Sequence, residues 1–434
     1  MNQITFESLP IPEVVLKGIK DADFKYCSSI QEKTLPLSLS GKDVAGQAQT
    51  GTGKTAAFLI TLFTRLLKNP KPQPKEKGLV SPRALVIAPT RELARQIEID
   101  AQLLGRHCGF RTLCIFGGMD YEKQRNQIKN GADILIATPG RIIDYYKQKL
   151  FSLKGLEVLI IDEADRMFDM GFIMDLRYLF RNCSHYSKRQ SMLFSATLNY
   201  RVMELAYEHM NNPVKVEVAP GKIVVDEIKQ VLYHVGLHEK FNLLLGLLKK
   251  ESGEKVLIFC NTKMWAERLE LLLNHNDYVV ALISGDLHQK KRISVLEDFK
   301  IGKLNILIAT DVASRGIHVD NITHVINYDV PQDPEDYVHR IGRTARAGAT
   351  GTAITLCCEN YATHLERVEQ YLKNKIPVEW AEEELYLTAK EGAPSFKRRS
   401  PIKTNSSKST GKQNLKRSTN NSQSNSRQPS KPRR

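Results

Sequence analysis

The sequence predicts an α/β chain: two tandem parallel-sheet domains, then a disordered basic C-terminal tail. Three observations lead there. Short apolar runs alternate with amphipathic helical stretches in two successive halves. A Gly-rich loop in the first half is matched downstream by an apolar run that ends in carboxylates. Beyond about Glu391 the composition shifts to Ser, Asn, Lys, Arg, Gln and Pro.

The runs of the first half include Ala84–Ala88, Ile134–Ala137, Val158–Ile161 and Met192–Phe194. Those of the second include Val256–Cys260, Val279–Ile283, Ile306–Ala309, His324–Asn327 and Ala353–Cys357. Short continuous β-branched runs are the pattern of strands buried on both faces, and intervening helices make successive strands parallel. Asn-Asn-Pro and Ala-Pro-Gly punctuation over Asn211–Gly221 marks a boundary. The expected organisation is a first domain over 1–213, a linker over 214–224, a second domain over 225–385 and a tail over 386–434. Lys71–Pro82, rich in Lys, Pro and Gly, reads as a surface loop.

The chain has 434 residues, 41% of them hydrophobic, enough for two cores. No apolar run approaches the ~18 residues of a membrane span, and the N-terminus lacks a secretory pattern. The seven cysteines are scattered, without a CxxC pair, and Cys357–Cys358 are adjacent. Reduced packing residues of a cytoplasmic protein are therefore expected. The net charge is +15, yet Lys397–Arg434 carries twelve Lys or Arg and no acid. Removing those twelve leaves +3 for everything before them. Such a tail cannot bury enough apolar area to offset its chain entropy. It suits a salt-sensitive hold on a polyanion, or is simply solvated.

Ala48-Gln49-Thr50-Gly51-Thr52-Gly53-Lys54-Thr55 follows an apolar segment and leads into the helical stretch Ala56–Leu67. It matches a P-loop in Gly53-Lys54-Thr55, with Ala48 at the pattern's first glycine. Backbone N–H groups and a helix N-terminus favour phosphate there. Lys54 would reach the β- and γ-phosphates of ATP, and the Thr55 hydroxyl would ligate Mg²⁺. Val158–Ile161 then delivers Asp162 and Glu163 at a strand's carboxyl end. Asp162 would hold the metal through water, and Glu163 would orient and deprotonate the attacking water.

Through Asp162-Glu163-Ala164-Asp165 the chain resembles the DEAD-box helicases, in that family's motif order from about Phe6 to Asn374. The resemblance implies two tandem RecA-like P-loop domains. It implies an adenine-reading motif in Phe24 and Gln31, with upstream Phe6; Asp23 stands where the family usually has glycine. Pro89, Thr90, Arg91, Gly117, Gly118, Thr138, Gly140 and Arg141 resemble the first domain's RNA-backbone contacts. Ser195 and Thr197 resemble the motif that couples hydrolysis to strand separation. In the second half Phe259–Lys263, Gln289–Arg292 and Ala309–Asp311 resemble RNA-side motifs, with Arg292 and Thr310 as contacts. Gly316 lies on the nucleotide side. Arg340, Arg343 and Arg346 are three apart; Arg343 and Arg346 resemble arginine fingers. Ala345 stands at another usual glycine and is expected to be tolerated. His318 replaces an Asp that meets the ribose.

Asp43–Thr55, Asp162–Asp169 with Gly171-Phe172, Ser195–Leu198 followed by Tyr200-Arg201-Val202, and Ile317-His318 are most similar to the RhlB-type subgroup. That likeness implies an RNA-dependent ATPase that unwinds short RNA duplexes with little sequence preference, beside an endoribonuclease. Two alternatives remain: a DNA translocase of the same fold, and an ATP-gated RNA clamp. His234 and His238 are four apart, but a strand and turn between them make a metal site a poor reading.

Overall fold

The computed structural model describes residues 4–49, 51–69, 81–218, 228–251, 254–314, 322–345 and 350–392. The first sheet belongs to the series β1 (Val44–Gln47), α1 (Lys54–Lys68), β2 (Ala84–Ile87), α2 (Arg91–Leu104), β3 (Thr112–Ile115), α3 (Tyr121–Lys129), β4 (Ile134–Ala137), α4 (Pro139–Lys147), β5 (Val158–Ile161), α5 (Ala164–Asp169), β6 (Gln190–Ser195), α6 (Tyr200–His209) and β7 (Val214–Glu217). Its strand order is β3-β4-β2-β5-β6-β1-β7, with parallel pairing throughout. The second sheet comprises β8 (Ile228–His234), β9 (Val256–Phe259), β10 (Val280–Ile283), β11 (Ile306–Ala309), β12 (His324–Asn327) and β13 (Gly351–Cys357). It is also parallel, in the order β10-β11-β9-β12-β13-β8.

The apolar runs behave as their composition demands. Side chains alternate across a strand, so β2 sends Ala84 and Val86 into one core and Leu85 and Ile87 into another. β9 does the same with Val256 and Ile258 against Leu257 and Phe259. All eight residues are buried. Helices on both faces make each domain a three-layer α/β unit.

Two expected boundaries are corrected. Val214–Glu217, placed in the linker, is β7: Val44 pairs with Val214 and Gln47 with Glu217. Alternating Val-Lys-Val-Glu is an edge strand, with Val216 buried and Lys215 and Glu217 exposed. The tail does not start at 386. Tyr386, Leu387 and Ala389 pack on the second domain's core. Leu387 donates its N–H to the Asn242 carbonyl at 3.1 Å, and Lys390 donates to Asn276 Oδ1 at 2.9 Å. These few apolar side chains sit just ahead of a strongly polar segment, so composition alone sets the border too early. Most of the Lys71–Pro82 loop, the later linker and the basic segment from Lys397 lie outside the described residues.

All seven cysteines are free thiols. Among the described residues no helix is long and apolar enough to cross a membrane, and no three His, Cys, Asp or Glu cluster as a metal site.

Candidate active site

In parallel sheets the strands' carboxyl ends share one edge, where ligands bind. Strand order divides that edge in two. The neighbours β1, β6 and β5 deliver the P-loop, Ser195–Thr197 and Asp162–Asp165 side by side. The neighbours β3, β4 and β2 deliver Gly117-Gly118, Thr138–Arg141 and Pro89–Arg91.

Gly53 caps α1 with φ +90°, and a Cβ there would meet Gln31 Nε2 at 2.5 Å. Gln31 is buried; its Nε2 donates to the Gly53 carbonyl at 3.0 Å, and its Oε1 accepts the Ser28 N–H at 2.8 Å. The Ser28 hydroxyl donates to the Thr52 carbonyl at 2.7 Å. The carboxamide is thus clamped to the loop, with one N–H and one lone pair to spare for a base. Thr52 Oγ1 donates to the Gln49 carbonyl at 2.7 Å. Buried Lys54 donates to the Ala48 carbonyl at 2.5 Å, and Ala48 donates its N–H to the Ser195 carbonyl at 3.0 Å. Thr55 stands in the first turn of α1, beside Lys54. Gly51 adopts φ +84°. Phe24, 42% exposed, stacks on Phe6 at 6.5 Å between ring centroids, at the edge of a cavity of about 440 Å³.

Asp162 is buried, and its Oδ1 accepts the Glu163 N–H at 2.9 Å. Burial pushes its carboxyl up to about 7, with Lys54 opposing. Glu163, at φ +51°, is also buried. Burial raises its pKa, but Arg166, Lys54, Arg343 and His339 outweigh that and hold it below the usual range. Arg166 Nη1 lies 3.2 Å from Glu163 Oε2, close enough for an ion pair but misaligned for a hydrogen bond. Arg343 and His339 come from the second domain, so the two domains meet over this carboxylate. Burial, then Arg166, pushes the His339 imidazole down to about 4, leaving it neutral at pH 7. Ala48, Gln49 and Thr197 face Glu335, Val338 and His339 across a cleft of about 90 Å³.

Asp165 ties the two carboxyl ends together. Its Oδ2 accepts N–H bonds from Ala196 and Thr197 at 3.0 Å each, and its own N–H donates to Ser195 Oγ at 3.1 Å. Sequence reasoning left Asp165 and Arg166 without roles, although both follow Glu163 directly. Arg340 is a fastener rather than a finger: it grips Asp311 with two bonds of 2.6 Å and donates to Asn261 Oδ1 and the Asp329 carbonyl.

On the other half of the edge, Thr90 caps α2 by accepting the Leu93 N–H at 3.2 Å, just after Pro89. Arg91 Nη1 donates to Gln289 Oε1 at 3.0 Å, across the domains. Arg292 Nε lies 2.6 Å from Glu92 Oε1, and its Nη2 donates to the Ala313 carbonyl. Gly118 sits against Arg91 and Gln289: at φ +84°, a Cβ would meet Arg91 Nη1 at 2.4 Å. Thr138 caps α4, Gly140 is open, and Arg141 lies over the rings of Tyr121 and Tyr145. Thr310 immediately precedes Asp311. Thr50, Gly316, His318 and Arg346 lie outside the described residues.

Two departures from the family pattern share a backbone cause. Asp23 has φ +56° and Ala345 φ +54°, both in the left-handed region that glycine enters freely. Asp visits that region more readily than Ala.

Residues 28–206 match the family "DEAD/DEAH box helicase", and residues 239–348 match "Helicase conserved C-terminal domain". The chain is 50% identical over 378 residues to the ATP-dependent RNA helicase RhlB of Pseudoalteromonas atlantica, covering 87% of this chain and 89% of that one. It is 50% identical over 395 residues to the RhlB of Xanthomonas axonopodis pv. citri, covering 91% and 69%. Among solved structures it resembles S. cerevisiae Dbp5 bound to RNA and ADP BeF3 (TM-score 0.76, 32% identity, 87% and 95% covered). It also resembles Mss116p bound to ssRNA and AMP-PNP (TM-score 0.78, 29% identity, 88% and 81% covered).

Left-handed Ala costs about 1–2 kcal/mol, and Ala→Gly returns about 0.4–1 kcal/mol to the unfolded chain. Ala345→Gly should therefore stabilise the second domain by up to about 1 kcal/mol. Urea unfolding checks this; a clear loss of stability would contradict the strain at this position.

Proposed function

Because the chain belongs to the DEAD/DEAH box helicase family and is an ATP-dependent RNA helicase of the RhlB type, we propose that its two domains close over one ATP and one RNA strand, with the residues above in divided roles. The observation that carries this reading is Glu163, whose charge is stabilised by Arg166 and Lys54 of the first domain and by Arg343 of the second. A site assembled from both domains exists only when they are closed.

Phe24 stacks on adenine, and Gln31 reads its edge with the remaining N–H and lone pair. The loop from Ala48 through Gln49, Thr50, Gly51, Thr52 and Gly53 wraps the phosphates, and Lys54 exchanges the Ala48 carbonyl for phosphate oxygens. The oxygen donors Thr55 and Asp162 suit Mg²⁺. A carboxyl that burial pushes up to about 7 is one that a divalent cation would hold ionised. When bound, the metal would neutralise phosphate charge. Glu163 stays ionised and orients the attacking water. Arg343, with Arg346, stabilises charge on the transferred phosphoryl group. Gly316, outside the described residues, is assigned to nucleotide binding from the family pattern alone.

Pro89, Thr90, Arg91, Gly117, Gly118, Thr138, Gly140 and Arg141, with Arg292 and Thr310 opposite, hold the RNA backbone. Contacts to phosphate and 2′-hydroxyl recognise RNA without reading its sequence. Ser195 and Thr197, held against the β5 end by Asp165, couple hydrolysis to strand separation. Closure bends the strand out of A-form, short duplexes melt locally, and phosphate release reopens the cleft. The protein works in the cytoplasm, its basic tail tethers RNA, and an endoribonuclease of RNA decay is its partner. Capture from native cells should recover such a nuclease; repeated capture without one sinks that partnership.

Glu163→Gln should lower RNA-stimulated ATP turnover roughly 100-fold or more while keeping ATP-dependent RNA binding. Stimulation should follow RNA and not DNA of the same sequence. Full turnover in the variant would remove Glu163 from its role, and equal stimulation by DNA would favour a DNA translocase.

A further inference from the structure

Three arginines of the RNA-side edge are held in different ways. Arg292 is paired with Glu92, and Arg91 is bonded to Gln289. Among the described residues Arg141 has no carboxylate partner. Its guanidinium carbon instead lies 5.0 Å from the centroid of Tyr121 and 5.5 Å from that of Tyr145. The two rings are 4.9 Å apart and tilted by 42°. Arg141 Nη1 donates to the Tyr145 hydroxyl at 3.2 Å, and that hydroxyl donates to the Tyr121 carbonyl at 2.9 Å. Tyr145 is fully buried one turn beyond Arg141 on α4. Tyr121 opens α3, and its hydroxyl meets Gln148 Nε2.

We propose that Tyr121 is a positioning residue for RNA, holding Arg141 through ring contacts so that its guanidinium edge faces a backbone phosphate. The proposal rests on the reading that Arg141 contacts RNA. Aromatic faces attract the cation without neutralising it, whereas a carboxylate would compete with phosphate. Both rings lie to one side of the guanidinium and the Tyr145 hydroxyl takes one N–H of Nη1, which leaves the remaining N–H groups of its planar fork for a phosphate. A long side chain fixed before binding loses less freedom when RNA arrives. Among the described residues the hydrogen bonds and ring contacts of both tyrosine side chains stay with Arg141, Gln148 and each other, so the effect belongs to RNA affinity.

The test measures single-stranded RNA affinity by fluorescence anisotropy with AMP-PNP, and ATPase rate against RNA concentration. Tyr121→Leu should weaken RNA binding roughly three- to tenfold, leaving the ATP KM and the rate at saturating RNA unchanged. Tyr121→Phe keeps the ring and should stay within about twofold of the parent. Tyr121→Leu combined with Arg141→Ala should bind RNA no more weakly than Arg141→Ala alone. If Arg141→Ala weakens binding while Tyr121→Leu does not, or if the two losses add, the positioning role is overturned. An Arg141→Ala chain that binds RNA like the parent overturns the underlying reading as well.

Discussion

Glu163 carries its charge at 4% exposure, and its nearest cation, Arg166, stands 3.2 Å away without an aligned hydrogen bond. Burial alone favours the protonated form of such a carboxylate, and positive charge opposes it. The convergence comes from two domains: Lys54 behind the P-loop and Arg343 across the cleft. Arg166 and Lys54 favour the ionised form from within the first domain, and Arg343 adds to them from the second. Nearby, Asp162 shows the opposite outcome, because burial dominates and pushes its carboxyl up to about 7. One strand end therefore holds two carboxylates in contrasting settings, one suited to a divalent cation and the other to a water molecule.

Sheet topology makes this convergence possible and sets the ends of β2, β4 and β3 apart from it. β1, β6 and β5 are neighbours, so their loops meet; β2, β4 and β3 continue the same edge. Asp165 joins the carboxyl ends of β5 and β6. With one carboxylate it accepts two N–H groups of the Ser195–Thr197 turn, so a shift after β5 must be felt after β6. Across the cleft, Arg340 secures Asp311, Asn261 and the Asp329 carbonyl. Removing one partner of such a buried charged network leaves the others unpaired, at a cost of roughly 3–5 kcal/mol. That rigidity lets Arg343 project from a fixed base.

Much of this was legible in the sequence, for physical reasons. Continuous β-branched runs admit few settings other than a doubly covered parallel sheet, so β2, β4, β5, β9 and β11 fell where expected. The P-loop and Asp162-Glu163 were legible because phosphate and metal chemistry restrict residue type and spacing. β7 was not, because Val-Lys-Val-Glu between turn signals looks like an extended linker until β1 pairs with it. Arg340 was hidden for another reason: its partners Asp311 and Asn261 lie 29 and 79 residues away. Asp23 and Ala345 were visible as departures from a family pattern, but only the backbone angles show that both occupy left-handed positions.

In the proposed closed state, ATP and RNA occupy two halves of one edge. Linkage then requires each to strengthen the other by the same factor. The direct measurement is RNA affinity with and without AMP-PNP, paired with AMP-PNP affinity with and without saturating RNA. Equal, greater-than-unity factors in both directions are the predicted result. Affinities that ignore the other ligand would show that the domains do not close over both, and would contradict the account.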